Sequence, residues 1–200
     1  MNVNIRKTFK FQCLTALEEA TTITSFSATV FMVPETESSD NHYIAYERIS
    51  HWIHEVLDNS VLISRDNKNL SHFENIGMRC LILPDEPHDH FVAALMQVKL
   101  NAICEGELCV TDVELCNVLN DGIIYMQSSE DDPMIFAEAG WWQDATPSWF
   151  AKHAKNKSHT KVISLTPKVS WKDHDLAWAN VKSHNAVIDI SGPDHDGTEK

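Results

Sequence analysis

The sequence lacks any apolar run close to the roughly 18 residues that span a bilayer. Its first residues, MNVNIRKTFKFQ, hold no apolar block of the kind found in export signals. Positive charge is also scarce, because 16 lysines and arginines stand against 29 aspartates and glutamates, a formal net charge of −13. A field of that sign disfavours nucleic acid and anionic membranes as partners and permits basic ones. We therefore expect a cytoplasmic protein that binds neither membranes nor nucleic acid.

Sequence motifs of catalysis are missing as well. The chain holds no GxSxG, HExxH or P-loop pattern, and its five cysteines include no CxxC pair. An odd number of cysteines without an export signal favours reduced thiols, which we expect to be small buried apolar side chains. We expect no cofactor and no metal ion.

Eleven histidines remain as candidate metal ligands. His88 and His90 flank Asp89 and follow Asp85 and Glu86, a group that offers nitrogen and oxygen ligands. Spacing of i, i+2 at the start of a helix directs two rings apart, so we favour a solvated helix start over a metal site.

The 200 residues have an ordinary globular composition, 43% apolar and 22% charged. That length fits one domain with an extension. We expect a main domain over residues 1–126, a linker over 127–133, an extension over 134–190 and a flexible tail over 191–200.

Periodicity of apolar residues predicts the elements of the main domain. In chain order they are strand 7–17, strand 21–33, helix 44–59, helix 87–105, strand 107–118 and strand 122–126, and residues 76–83 can add a short strand. Strand alternation and the helical period place these apolar side chains inward: Phe9, Phe11, Cys13 and Leu17 in the first strand, Phe26, Ala28, Val30 and Met32 in the second, and Ile49, Trp52, Ile53, Val56 and Leu57 in the first helix. The first helix turns Arg48, His51 and Glu55 toward solvent, and we expect Gly106 to cap the end of the second helix. Because strands flank the helices, we expect an α+β fold, an antiparallel sheet with two helices on one face in the order β-β-α-α-β-β.

The order and spacing of these elements resemble the tunnelling fold, the family of 6-pyruvoyl-tetrahydropterin synthase and the carboxy-deazaguanine synthases of queuosine synthesis. The resemblance covers residues 7–126 and rests on the strand pairs, the helix ending in Leu57-Asp58-Asn59, the proline-led second helix and the internal Glu114 of the third strand. In that family a glutamate there binds the edge of a pterin or purine ring through two parallel hydrogen bonds. The resemblance implies that Glu114 binds such a ring and that subunits pair their sheets into a homo-oligomer.

The residues that hold zinc in the family are missing. The first strand has LTAL (14–17) in place of a histidine, the second has Ser25-Phe26-Ser27 in place of His-x-His, and TTIT (21–24) replaces the surroundings of a nucleophilic cysteine. Asn59 replaces a histidine, and Pro87-His88-Asp89-His90 replaces a Thr-Ala-Glu motif. The resemblance therefore implies a metal-free relative.

The extension over residues 134–190 is rich in tryptophan. Its five tryptophans are Trp141, Trp142, Trp149, Trp171 and Trp178. Since tryptophan is enriched at the buried centres of interfaces, we expect the extension to bury them on the main domain or on a partner protein. Residues 151–172 hold six lysines and no acid. We favour their pairing with the acidic surface of this protein or a neighbouring subunit over contact with single-stranded nucleic acid.

Three functions are compatible with these features. We expect a non-catalytic ligand-binding or protein-interaction module, a metal-free tunnelling-fold relative that binds a pterin or purine-like ring. One alternative is an enzyme of pterin or deazapurine metabolism with a relocated active site, in which Asp58, His88 and His90 act as acid–base groups. Another is an accessory or structural protein of a virus or mobile element that acts through its acidic surface and the tryptophan-rich extension.

Overall fold

The computed structural model describes residues 4–119, 122–131, 134–147 and 170–179. Its strands are β1 Ile5–Ala16, β2 Thr21–Pro34, β3 Ser60–Ser64, β4 Cys80–Leu83, β5 Leu108–Asn117 and β6 Ile124–Ser128. Its α-helices are α1 Ser39–His51, α2 Leu70–Asn75 and α3 Asp89–Cys104, and α1 continues as a π-helix over Trp52–Leu57. Single 3-10 turns follow at Met134–Phe136, Trp141–Gln143 and Trp171–His174.

The strands form one mixed sheet in the order β4-β3-β1-β2-β5-β6. The pairs β1–β2, β2–β5 and β5–β6 are antiparallel, as the sequence predicts. The expectation of a purely antiparallel sheet is wrong, because β3 runs parallel to β1 and β4 runs parallel to β3. Strands β3 and β4 are parallel because α2 forms a crossover between them, the connection that parallel neighbours require. Strands β1 and β3 are parallel because β2 and the helix over residues 39–57 lie between them in the chain.

Helices α1 and α3 cover one face of the sheet. Seven of the eight predicted inward residues of the first two strands are buried there: Phe9, Phe11, Cys13, Phe26, Ala28, Val30 and Met32. The eighth, Leu17, follows β1 and is half-buried. The predicted inward residues of the first helix are buried opposite them: Ile49, Trp52, Ile53, Val56 and Leu57. No helix in the described part of the chain is long and apolar enough to cross a membrane.

Helix α2 covers the other face of the sheet at the β3–β4 end. Its Leu70 and Phe73 pack against Val61 and Ile63 of β3, in a cluster separate from the main core. The two predicted helices, α1 and α3, lie against one face, whereas α2 is a third helix that the sequence pattern does not predict. The same cluster includes Leu14 and Ala16 at the end of β1. On that second face, no described helix covers the rest of β1 or the strands β2, β5 and β6, and we call this uncovered surface the open face.

The helix ends follow local capping chemistry. Helix α1 begins at Ser39, inside the polar segment 35–42, because the Ser38 side chain accepts a hydrogen bond from the Asn41 backbone N–H at 3.3 Å. Helix α3 ends where Glu105 and Gly106 adopt positive φ angles of 48° and 82°. Glycine adopts such an angle without steric cost, as the sequence predicts for Gly106.

The described part of the extension packs on the helix layer of the same chain. Phe136, Trp141, Trp142 and Trp171 belong to the main core. Lys99 of α3 is fully buried and donates hydrogen bonds to the backbone carbonyls of Trp141 at 3.1 Å, Asp144 at 2.6 Å and Thr146 at 3.1 Å. Burial lowers the pKa of Lys99 to about 8, although the Asp144 carboxylate favours the charged form.

Replacing Lys99 should loosen this part of the extension. We expect Lys99→Met to lower the free energy of unfolding by about 3 kcal/mol, because it leaves the carbonyls of residues 141, 144 and 146 without their donor. Urea denaturation followed by tryptophan fluorescence measures the loss. Lys10→Met, at an exposed position of β1, is the matched control and should change stability by less than about 0.5 kcal/mol. Equal stability of the two variants would contradict an anchoring role for Lys99.

Candidate functional site

The helix-covered face of the sheet changes from apolar to polar at one end. Strand alternation brings to that end the polar side chains of Thr15, Thr22, Thr24, Asn117 and Tyr125. The Thr15 hydroxyl donates to the Thr24 hydroxyl at 2.9 Å, and both side chains are buried. The alternate positions of β1 and β2 point to the other face of the sheet. These polar side chains therefore occupy inward positions, on the same face as Cys13 and Phe26. They form the floor of a cleft beside the first turn of α3.

Two histidine rings complete this cleft. His88 precedes α3 in an extended conformation, with φ −65° and ψ 150°, and its carbonyl accepts the N–H groups of Phe91 and Val92. The rings of His88 and His90 are parallel, with centroids 5.9 Å apart and an interplanar angle of 4°. The expectation that they point apart is wrong, because it assumes helical geometry for both residues and His88 lies outside the helix.

The cleft has a volume of about 480 Å³. Its lining comprises Thr15, Leu17, Thr22, Thr24, Pro87, His88, Asp89, His90, Asn117 and Tyr125, and we call it the threonine–histidine cleft. Volumes of roughly 300 to 1,000 Å³ hold small-molecule ligands. Hydroxyl, amide, phenol and imidazole groups there can both donate and accept hydrogen bonds.

Glu86 fixes one side of the threonine–histidine cleft. One of its carboxylate oxygens accepts the Glu18 backbone N–H at 2.8 Å, and the other lies 3.4 Å from Nε2 of His88. This single carboxylate therefore connects the β1–β2 turn to the residue that precedes α3. It holds the His88 ring in place without occupying the cleft.

A second, acidic cleft shares the two histidines. It has a volume of about 650 Å³ and contains four carboxylates, those of Glu18, Asp66, Asp85 and Glu86, and one cation, Lys68. His88 and His90 line both clefts. A ligand in the threonine–histidine cleft therefore lies beside a region of net negative charge.

Glu114 and Asp58 lie away from the threonine–histidine cleft. Glu114 projects from the open face, opposite Thr29 and Met126, and its carboxylate is 3.9 Å from the Arg6 guanidinium. Asp58 accepts the Gln12 backbone N–H at 2.7 Å and the Asn59 side-chain amide at 2.9 Å. Of the residues proposed from the sequence as ligand or acid–base groups, the fold brings together only His88 and His90.

The tryptophans of the extension contact their own main domain. Trp141, Trp142 and Trp171 are buried in its core. Trp178 stacks on the guanidinium of Arg48 at 3.5 Å and donates from its indole N–H to Glu105 at 2.7 Å. Trp149 and residues 151–169 lie outside the described residues, so their expected partners stay predictions.

Arg48 is buried by the extension, contrary to its predicted solvent-facing position. Its Nε donates to the Leu176 carbonyl at 2.8 Å, and its NH1 donates to Glu105 at 2.7 Å. The side chain is 2% exposed. The helical period of α1 predicts the outward direction correctly, but the segment 170–179 covers that side of the helix.

Three of the five cysteine thiols are buried in the described structure. Burial raises the pKa of the Cys13 and Cys104 thiols to about 12 and that of Cys80 to about 11. Thiols of that kind are poor nucleophiles at neutral pH, since the thiolate is the reactive form. Within the described ranges, no group of three or more histidine, cysteine, aspartate or glutamate side chains is arranged to hold a metal ion.

The threonines, Asn117 and Tyr125 of the cleft are not among the site residues predicted from the sequence. A signal was present, because Thr15 shares the parity of Cys13 in β1, and Thr22 and Thr24 share that of Phe26 in β2. Polar residues at inward positions near a strand end indicate either a solvated edge or a binding site. Recognising the second case requires the position of α3, which periodicity alone does not provide.

Acidification should loosen the segment 170–179. The rings of His51 and His174 lie 4.1 Å apart, and burial, then the charge of His174, lowers the pKa of His51, whereas Glu55 opposes the shift. The unfolded chain therefore binds the proton more tightly, so stability is unaffected well above pH 6.5 and falls as the pH drops through that value. We expect His174→Gln to lessen the drop in melting temperature between about pH 7.5 and about pH 5.5.

The matched control for this prediction is His72→Gln, on the exposed side of α2. It should lose as much thermal stability on acidification as the wild type. If His174→Gln and His72→Gln behave alike, the histidine pair does not govern the acid response.

Comparison with known proteins gives no family for this chain. No protein-family model and no curated protein matches it. Among solved structures it is similar to an uncharacterized protein from Wolinella succinogenes, with 12% identity, coverage of 64% of this chain and 99% of the other, and a TM-score of 0.47. A likeness at that level does not bear on function.

Proposed function

We propose that this protein is a non-catalytic ligand-binding protein that takes up a pterin- or purine-like ring in the threonine–histidine cleft. The observation that carries the proposal is the convergence of five neutral polar side chains at one end of an otherwise apolar sheet face. A flat heterocycle carries donors and acceptors around its edge and presents apolar faces. Hydroxyl and amide groups match the edge, and a ring of the cleft wall, that of His90 or of Tyr125, offers an aromatic surface for one face.

The charge around the cleft favours an unphosphorylated ligand. The adjoining acidic cleft contains four carboxylates and one lysine. A phosphate placed beside it would meet like charge, which costs several kcal/mol in a partly desolvated site. The free base or pterin is therefore the expected ligand, and its nucleotide is disfavoured.

The resemblance to the tunnelling fold supports the choice of ring. Four strands, β1, β2, β5 and β6, are antiparallel neighbours in that order, with α1 and α3 on one face. The β3–α2–β4 crossover extends this arrangement at the β1 edge. If the chain is such a relative, Asn117 takes the place of Glu114 as the ring-edge residue of the cleft.

Thermal shift with pterin, guanine and 7-deazaguanine tests the proposal. Ligand at about 100 times its Kd should stabilise the native protein by about 2.7 kcal/mol. Asn117→Ala should abolish the shift, because it removes the amide that faces the ring edge. Glu114→Gln, on the open face, should bind like the wild type, and guanosine monophosphate should give a smaller shift than guanine.

Other outcomes separate the alternatives. A shift that disappears in Glu114→Gln and persists in Asn117→Ala would place the ring on the open face and contradict the cleft. Turnover of a bound ring that is lost in His88→Gln and His90→Gln would favour the enzyme of pterin or deazapurine metabolism. No shift with any ring would contradict a small-molecule function of this cleft.

We propose, as a second function, self-association through the open face. Ile124 and Met126 of β6 point to that face and are 62% and 66% exposed. β6 is also an edge strand, whose outer backbone groups can pair with another strand. The face carries Arg6 on β1 and Glu114 on β5, so a second copy related by a two-fold axis offers opposite charge to each.

Charge at the β6 end of the open face should prevent this association. We expect the wild type to elute as a multiple of the monomer mass in size-exclusion chromatography with light scattering, and Ile124→Lys with Met126→Lys to elute as a monomer. Ile76→Lys, at an exposed apolar position after α2, near the opposite edge of the sheet, should keep the wild-type mass. A monomeric wild type would refute the proposal.

A further inference from the structure

A separate cavity lies between the extension and the edge strand β4. Its volume is about 730 Å³. One wall comes from Leu70 and Glu74 of α2 and from residues 82–84 at the end of β4, and the other comes from residues 138–144. We call it the strap cavity. It shares no lining residue with the threonine–histidine cleft.

The extension wall of the strap cavity is held in place before any ligand arrives. The Trp141 indole N–H donates to the Ile82 carbonyl at 2.8 Å, and the Trp142 indole N–H donates to the Phe136 carbonyl at 3.0 Å. At Gly140 the chain passes so closely over Trp142 that a Cβ atom would lie 2.3 Å from its ring. Preorganised walls reduce the entropic cost of binding.

The charge of the strap cavity is predominantly negative. Its lining contains the carboxylates of Glu74, Glu138 and Asp144 and a single guanidinium, that of Arg65. Arg65 already pairs with Glu138 at 3.2 Å, and Asp144 interacts with the buried Lys99. The Glu74 carboxylate has no hydrogen-bond or ion-pair partner among the described residues, and it lines the cavity together with the apolar side chains of Leu70, Trp141 and Trp142.

We propose that the strap cavity binds a small organic cation with an apolar body, whose ammonium group pairs with Glu74. A carboxylate beside aromatic walls is the arrangement that recognises ammonium groups, because both the charge and the ring quadrupole attract a cation. The formal net charge of −13 raises the local concentration of cations around the chain. An anion of the same shape would meet three carboxylates and one guanidinium that is already paired.

Probes of equal shape and different charge test this proposal. Phenethylamine, phenylacetate and benzyl alcohol share an apolar body, and isothermal calorimetry measures their Kd with the full chain. We expect phenethylamine to bind at least about tenfold more tightly than either of the others. Its binding should also shift the indole N–H resonances of Trp141 and Trp142.

Three variants locate the ammonium group. Glu74→Gln should weaken phenethylamine binding by about tenfold, since the charge-assisted hydrogen bond is lost. Gly140→Ala should weaken it as well, because the new methyl group displaces the Trp142 ring. Glu130→Gln removes one exposed carboxylate after β6, and its Kd should equal that of the wild type.

Four results would contradict cation binding in the strap cavity. Equal affinity for phenylacetate, an unchanged Kd in Glu74→Gln, or binding that leaves both indole resonances in place would overturn the proposal. So would the absence of phenethylamine binding at millimolar concentration. None of these results bears on ring binding in the threonine–histidine cleft.

Discussion

The buried ammonium group of Lys99 is the interaction on which the arrangement of the extension depends. An uncompensated charge in the interior would cost several kcal/mol, so its three backbone acceptors must stay in place. Those acceptors belong to residues 141–146, which therefore cannot leave α3 without exposing or orphaning the charge. The same residues carry Trp141 over the end of β4 and close the strap cavity. The three hydrogen bonds of Lys99 thus position one wall of a candidate binding site.

Helices cover the two faces of the sheet unequally. Helices α1 and α3 bury most of one face, and the polar end of that face becomes the threonine–histidine cleft. On the other face, α2 covers β3 and β4 and leaves the open face, with the exposed side chains of Ile124 and Met126. Ring binding and self-association are therefore assigned to opposite sides of the sheet and can be tested independently.

Negative charge gives both cavities the same preference for ligands that carry no negative charge. The acidic cleft adjoins the threonine–histidine cleft through His88 and His90, and Glu74 lies in the strap cavity. The main positive groups of the core are already used, because Lys99 and Arg48 hold the extension. Among the described residues that line either cavity, no buried cation is available to neutralise the charge of an anionic ligand. Neutral or cationic ligands are therefore favoured.

The sequence by itself determined the features that depend on local periodicity. Alternation in β1 and β2 and the helical period of α1 placed their buried residues correctly, since a period of two or 3.6 leaves one choice of inward face. Short apolar segments such as Ser60–Ser64 carry no period, so the parallel pairing of β3 and β4 followed from the fold. Contacts between distant segments, such as Arg48 with residues 170–179, Lys99 with residues 141–146 and His90 with Tyr125, were decided by tertiary packing, because no local rule relates residues so far apart along the chain.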